Sequence, residues 1–232
     1  MNLLTIVIPC YNERESLPLL IEKLSDLSKE INFIIVDNGS TDESKDYLTN
    51  IKSSLNNIEI FFIKNNKGYG YGVAKALNSI QNSKYIGWIH GDLQFDFEGL
   101  KNTIKFFENT NPNDLIFYKG VRTGRSNFDK FFSYFMGILA SLILGNKFYE
   151  INAQPTIFNT KLIESATNPP NDFRFDTYIY WLALNNKYSL KRENFEFPPR
   201  KYGASKWDFG ISSKLKFSYN LGKYFLELRK LN

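Results

Sequence analysis

The heptapeptide Trp88-Ile89-His90-Gly91-Asp92-Leu93-Gln94 brings together the chain's only histidine, a carboxylate and an amide. It reads as the end of a buried strand running into a turn. Asp92 and Gln94, two apart around Leu93, can point their oxygens the same way in an extended turn. Hard divalent cations favour such oxygens and let substrate phosphates complete their shell. An ion held there would neutralise charge on a departing diphosphate. His90 is a candidate metal ligand or a neutral donor to phosphate, although a lone imidazole at a strand end is more often packed or hydrogen-bonded within the protein.

Other polar clusters recur along the chain. Asn12-Glu13 follows the first apolar run, and Asp37-Asn38-Gly39-Ser40-Thr41-Asp42 follows the second. A carboxylate at Asp37 can accept from a nucleobase N–H and sit beside a ribose; it can equally close an Asx-turn or cap a helix. Asn65–Gly72 (NNKGYGYG) is a glycine-rich loop entering a helix. Its Gly68-x-Gly70-x-x-Val73 lacks the last glycine of a dinucleotide fingerprint and follows the third strand, which disfavours a nicotinamide-dependent oxidoreductase. It still lets the backbone approach a ligand. Lys119, Arg122 and Arg125 lie in a glycine-flanked turn, and arginine forks match phosphate oxygens. Arg200, Lys201 and Lys206 form a second basic cluster around Gly203-Ala204-Ser205, suited to a loop closing over an anion.

The elements that position these groups alternate. Leu3–Ile8, Ile31–Val36, Ile58–Ile63 and Tyr85–Ile89 read as buried strands, the first ended by Pro9. Helical spacing follows Asn12-Glu13, and again after Asp42, where Thr41 or Asp42 can cap. Val73–Ile80 is helical. Strand–helix alternation implies a parallel sheet, and ligands bind at the carboxyl ends of its strands. All four polar clusters fall at such ends, so one pocket is expected. Beyond it, Phe95–Asn109 is read as a helix, Leu115–Tyr118 as a strand and Phe128–Leu144 as a long apolar helix. Tyr149–Phe158 follows as strand–turn–strand. Phe175–Leu184 is read as a helix, Tyr188–Glu196 as a strand and Ile211–Leu231 as a basic amphipathic helix.

The 232 residues are 43 % hydrophobic and 16 % aromatic, enough for a sizeable core, and no domain boundary stands out. Net charge is +5, which fits an anionic partner or simple solubility. With no RNP motif, zinc-finger spacing or arginine-rich arm, nucleic acid is not expected. The single cysteine, Cys10, fits a reducing compartment. The N-terminus reads as a core strand, not a signal peptide. Phe131–Gly145 is the longest uncharged apolar run and falls short of the roughly 20 residues of a membrane span. It suits a buried helix or one lying at a membrane interface.

Four segments in order, VIPCYNE (residues 7–13), VDNGSTD (36–42), NKGYG (66–70) and GDLQ (91–94), resemble the signature of family 2 glycosyltransferases. Gly120-Val121-Arg122 and RKYGASK (200–206) are similar to the branch of dolichyl- and polyprenyl-phosphate mannose or glucose synthases. The resemblance implies a GT-A fold. That is an α/β architecture with a Rossmann-like, mostly parallel sheet between helices, residues 1–118 holding a nucleotide sugar and a mixed half, 119–232, holding acceptor. By position, Pro9, Tyr11, Asn12, Glu13, Asp37, Asn38, Asn66, Gly68 and Gly91 would lie about the nucleotide sugar. Asp92, Gln94 and His90 would meet Mg2+ or Mn2+ and the diphosphate. Arg122, Arg125, Lys130, Arg200, Ser205 and Lys206 would face phosphates of donor or acceptor. His90 stands where the family's DxD motif has its first Asp, which removes one carboxylate from the metal, and Asn38 replaces the second Asp of DDGSTD.

The expectation is an inverting, metal-assisted transfer of a hexose from a UDP or GDP sugar to a polyprenyl-phosphate lipid, at the cytoplasmic face of a membrane. A hydroxyl acceptor on a surface glycan would need a general base, for which Asp172 and Asp176 are the candidates. A catalytically silent nucleotide-sugar-binding module is the third reading, suggested by the missing first Asp.

Overall fold

The computed structural model of the protein describes residues 2–27, 31–111, 113–198 and 211–231. The aliphatic runs form strands β1 (Asn2–Cys10), β2 (Asn32–Asp37), β3 (Ile58–Phe62), β4 (Ser83–Trp88), β5 (Ile116–Thr123), β6 (Thr156–Asn159) and β7 (Ser189–Glu196). Helices are α1 (Leu17–Leu27), α2 (Ser44–Ile51), α3 (Tyr69–Ser79), α4 (Gly99–Glu108), α5 (Asn127–Leu144), α6 (Lys161–Glu164), α7 (Arg174–Asn185) and α8 (Ile211–Arg229). The strands make one sheet in the order β3-β2-β1-β4-β6-β5-β7. β1 to β4 run parallel, β6 runs against both β4 and β5, and β7 is parallel to β5.

Successive strand side chains point to opposite faces, and two cores result. Val7, Ile34, Val36 and Trp88 lie under α3, α5, α7 and α8, with Val73, Met136, Ile179 and Phe225. Ile6, Ile8, Phe33 and Ile35 face α1, α2 and α4, with Leu20, Leu24, Leu48 and Ile104. Full burial of each such side chain contributes about 1.5–3 kcal/mol. No helix among the described residues is long and apolar enough to cross a membrane.

Several boundaries differ from the sequence expectation. β1 continues through Pro9 to Cys10, because its pairing with β4 has already ended at Val7 opposite Trp88 and Pro9 keeps only β2 beside it. α1 starts at Leu17, not after Glu13: Asn12 is left-handed (φ 56°), and the Glu13 carbonyl accepts from the N–H groups of Ser16 and Leu17. α4 starts at Gly99, after Phe95 and Phe97 have turned into the core and Asp96 has accepted from the Gly99 N–H. Within Tyr149–Phe158 only the end, from Thr156, is strand; Glu150 adopts φ 47° and breaks the extended path. The short α6 has no apolar period long enough to announce it.

Candidate active site

The carboxyl ends of β1 to β4 meet, as the alternation requires. Burial first, then the charges of Glu13, Asp37 and Asp92, hold the Cys10 thiol well above its ordinary range. The charges of three strand ends thus reach one buried sulfur. Gly91 closes the packing, since a Cβ there would stand 2.6 Å from Cys10 Sγ.

Asp37 ends β2 and is fully buried. Its Oδ1 accepts from the Ser40 N–H at 3.2 Å, while Oδ2 is buried with no hydrogen-bond partner. Such an acceptor is costly unless something pairs with it. Asn12 and the Ser40–Thr41 turn lace together: the Thr41 N–H donates to Asn12 Oδ1 at 2.8 Å, and the Asn12 N–H donates to Ser40 Oγ at 3.0 Å. Glu13 accepts from Ser16 Oγ and donates its N–H to Ser44 Oγ. Asn38 Nδ2 donates to the Gly68 carbonyl at 3.0 Å, and Asn66 Oδ1 accepts from the Gly68 N–H at 2.8 Å. Gly68 has φ 111°, and a Cβ would come 2.3 Å from the Asn171 carbonyl oxygen, so this position requires glycine. Pro9 and Tyr11 complete this edge at the end of β1.

Past β4 the chain makes a tight turn with Leu93 left-handed (φ 62°). The Gln94 N–H donates to Asp92 Oδ1 at 3.1 Å, and Gln94 Nε2 donates to the Pro198 carbonyl at 3.2 Å. The two side chains are thus held in place by the chain around them. Among the described residues no three His, Cys, Asp or Glu side chains converge. A cation beside Asp92 would take most of its oxygens from a diphosphate and water, which Mg2+-like ions accept. The half-buried His90 ring turns toward Tyr69, whose centroid is 5.8 Å away.

Behind His90 lies a cluster largely missed from sequence. Gln154 Nε2 donates to Asp176 Oδ1 and to Tyr69 Oη, each at 3.2 Å. Tyr69 stacks on Phe173 at 4.5 Å. Trp88 Nε1 is buried there without a hydrogen-bond partner of good geometry. Burial raises the Asp176 carboxyl above its usual range, while Lys119 and His90 pull it back. Asp176 therefore does not cap α7. Asp172, just before the helix, accepts from the Arg174 N–H and guanidinium at the surface.

Lys119 is fully buried, with Nζ donating to the Ala153 carbonyl at 2.8 Å and to Thr156 Oγ1 at 2.9 Å. Burial pushes its amine down to about 7. A lysine inside the apolar run LIFYKGV is the signal that could have marked it.

Arg122 and Arg125 share one partner, the buried Glu150. Arg122 Nε donates to Glu150 Oε2 at 2.7 Å, and Arg125 Nη1 to Glu150 Oε1 at 3.1 Å. Ser133 Oγ accepts from both. Neither arginine is a freely solvated loop charge. Arg122, Lys130, Phe131, Tyr134, Tyr149 and Glu150 line an open groove of about 480 Å3. A cleft of similar size lies at the amino edge of the sheet, among Asn2, Asn32, Ile58 and Ser83, away from the strand ends that bind ligands in such sheets. Arg200, Ser205 and Lys206 lie outside the described residues.

Comparison with known proteins agrees with this geometry. The Glycosyl transferase family 2 profile matches residues 5–198. An undecaprenyl-phosphate 4-deoxy-4-formamido-L-arabinose transferase of Photorhabdus laumondii is 26 % identical over 212 residues, covering 88 % of this chain and 63 % of the relative. A UDP-Glc:alpha-D-GlcNAc-diphosphoundecaprenol beta-1,3-glucosyltransferase of Escherichia coli is 35 % identical over 112 residues, covering 47 % of this chain and 42 % of that protein. The chain thus spans less than two thirds of the length of these relatives. Glucosyl-3-phosphoglycerate synthase from Mycobacterium tuberculosis, solved with Mn2+, UDP and glucosyl-3-phosphoglycerate, superposes with a TM-score of 0.68 at 14 % identity, over 98 % of this chain and 80 % of that one. Such likeness shows the GT-A fold. The strand-end signature, the sheet order and the length of the profile match make the chain a member of glycosyl transferase family 2.

Proposed function

We propose that the chain transfers a glycosyl group from a nucleoside-diphosphate sugar to a polyprenyl-phosphate-type lipid. The observation that carries the donor half is the buried, partnerless Asp37 Oδ2 at the end of β2, whose charge reaches Cys10 together with those of Glu13 and Asp92. A base N–H or ribose hydroxyl supplies the donor that this oxygen lacks. Pro9, Tyr11, Asn12, Asn38, Asn66, Gly68 and Gly91 shape the cleft for base and ribose. Asp92, with Gln94 and His90 nearby, would hold Mg2+ or Mn2+ against the diphosphate. When bound, that ion stabilises the charge of the leaving group.

In the transfer, an acceptor phosphate oxygen forms the new bond to the anomeric carbon as the bond to the donor's β-phosphate oxygen breaks. The electron pair leaves with the nucleoside diphosphate, and displacement from the opposite face inverts the centre. A phosphate acceptor carries no proton that must be removed. Arg122, with Arg125 steadied through the same Glu150, and Lys130 supply positive charge at the acceptor groove. The names of the relatives, which involve undecaprenyl phosphate and its diphosphate, support a lipid-linked acceptor.

A second reading has its own observation. Asp176, poised behind His90 with raised proton affinity, is a candidate base for a sugar hydroxyl. Incubation with a panel of labelled UDP and GDP sugars, and either polyprenyl phosphate or an oligosaccharide, separates the two. Product on the lipid phosphate supports the first reading, and product on the oligosaccharide alone replaces it with the second. Nucleotide binding without hydrolysis or transfer over the whole panel leaves a silent binding module.

A further inference from the structure

α5 leaves a line of large apolar side chains in the open. Phe128, Phe131, Phe135, Ile138 and Leu142 are 54, 68, 52, 40 and 76 % exposed, although Met136, Gly137, Ala140 and Leu144 of the same helix are buried. Steps of three and four residues place the five along one side of the helix. A patch of this kind marks an interaction surface.

The spacing is also that of a coiled-coil seam. The flanking positions Phe132, Tyr134, Leu139 and Ser141 nevertheless carry no charge that could fix the register of a partner helix. The neighbouring helix supplies charge of mainly one sign instead. Leu139 of α5 faces Gly222 of α8. On α8, Tyr219, Lys223, Leu226 and Lys230 are exposed at steps of four, three and four. Lys214, Lys216, Lys223, Arg229 and Lys230 lie on α8 or directly follow it, against the one acid Glu227. Lys223 Nζ sits 4.6 Å from the Tyr219 ring centroid. An aromatic and aliphatic line beside a basic one is the make-up of a helix lying in a membrane interface, with apolar groups below and cations at the headgroups.

We propose that α5 and α8 form a docking face for an anionic lipid surface. The groove of Arg122 and Lys130 opens at the N-terminal end of the line, sharing Phe131 with it. A lipid phosphate lifted from that surface would meet the groove first. The proposal deepens the lipid-acceptor reading, and only this last link depends on it.

The test is vesicle flotation of the whole chain, with phosphatidylcholine alone and with added phosphatidylglycerol. Wild type is expected to float with the anionic vesicles and weakly with the neutral ones. The double variant Ile138→Glu/Leu142→Glu changes two exposed positions outside the groove. It is expected to bind roughly tenfold more weakly, with an unchanged melting temperature and unchanged nucleotide affinity. Wild type that ignores both vesicles overturns the proposal. So does a double variant that floats like wild type, or one whose only change is from dimer to monomer in light scattering. If vesicles bind as expected but no lipid phosphate is glycosylated, the docking face stands and the acceptor reading falls.

Discussion

Gln154 Nε2 lies 3.2 Å from Asp176 Oδ1 and the same distance from Tyr69 Oη, so one amide ties the approach to β6 to both α7 and α3. The carboxylate behind the site is thereby oriented. Whether it takes a proton depends on the acceptor. Loss of a general base costs about 10²–10⁴ in rate. With a lipid phosphate acceptor, Asp176→Asn is expected to lower kcat by less than roughly tenfold. A larger fall, measured with saturating donor, assigns the residue to deprotonation of a hydroxyl.

Lys119 supplies a pH dependence that needs no substrate. Burial lowers its amine from 10.5 to about 7; the nearby Arg192 and Arg122 push the same way, and Asp176 and Glu150 oppose. Tyr180 faces it with its ring, 5.8 Å from Nζ. Between pH 7 and about 10 the unfolded chain binds more protons at this group than the folded one, so its contribution to stability rises with pH. Below pH 7 the penalty is constant. Urea denaturation of wild type at pH 7 and 9 is expected to show the gain, and Lys119→Met is expected to lose it.

Glu150 holds two guanidiniums from a buried position in the groove of Arg122 and Lys130. Removing one partner of such a group costs about 3–5 kcal/mol, because the charges left behind are uncompensated. Glu150→Gln is expected to lower unfolding free energy by that order. Added phosphate or pyrophosphate should recover part of it in a thermal-shift series.

The replacement of a carboxylate by His90 predicts a weak cation response. Calorimetry of UDP and GDP with and without Mn2+ is expected to show a modest enhancement for wild type and none for Asp92→Ala. His90→Asp is expected to enlarge it by roughly tenfold, or about 1.4 kcal/mol. An unchanged response in His90→Asp would replace the metal-site account of this turn.

The parallel part of the sheet was legible because each strand is a short aliphatic run ended by a polar cluster, so Asp37 and Asp92 could be placed at strand ends from spacing alone. The cluster around Asp176 was less so. Tyr69 looked like part of a glycine-rich loop, Gln154 like a turn residue and Lys119 like part of a basic turn. Their meeting depends on an antiparallel strand inserted between β4 and β5, which no local period encodes. Arg122 and Arg125 were read as phosphate ligands from residue type, but their shared anchor, Glu150, lies 25 residues beyond Arg125 in the chain. The exposed side of α5 was not separable from core, since its apolar residues run all round the helix.

The sheet also acts as a ruler. Trp88 of β4 stands level with Thr156 of β6, and Thr156 with Lys119 of β5. Asp92 lies four residues beyond Trp88, and Arg122 three beyond Lys119, both past the same edge. Neighbouring strands are about 4.8 Å apart, so two steps set the strands carrying these groups roughly 10 Å from one another. At the level of Trp88 and Lys119 that interval is set by backbone hydrogen bonds through β6. With the donor diphosphate at Asp92 and the acceptor phosphate at Arg122, as proposed, the strands leading to them would start about a sugar's breadth apart.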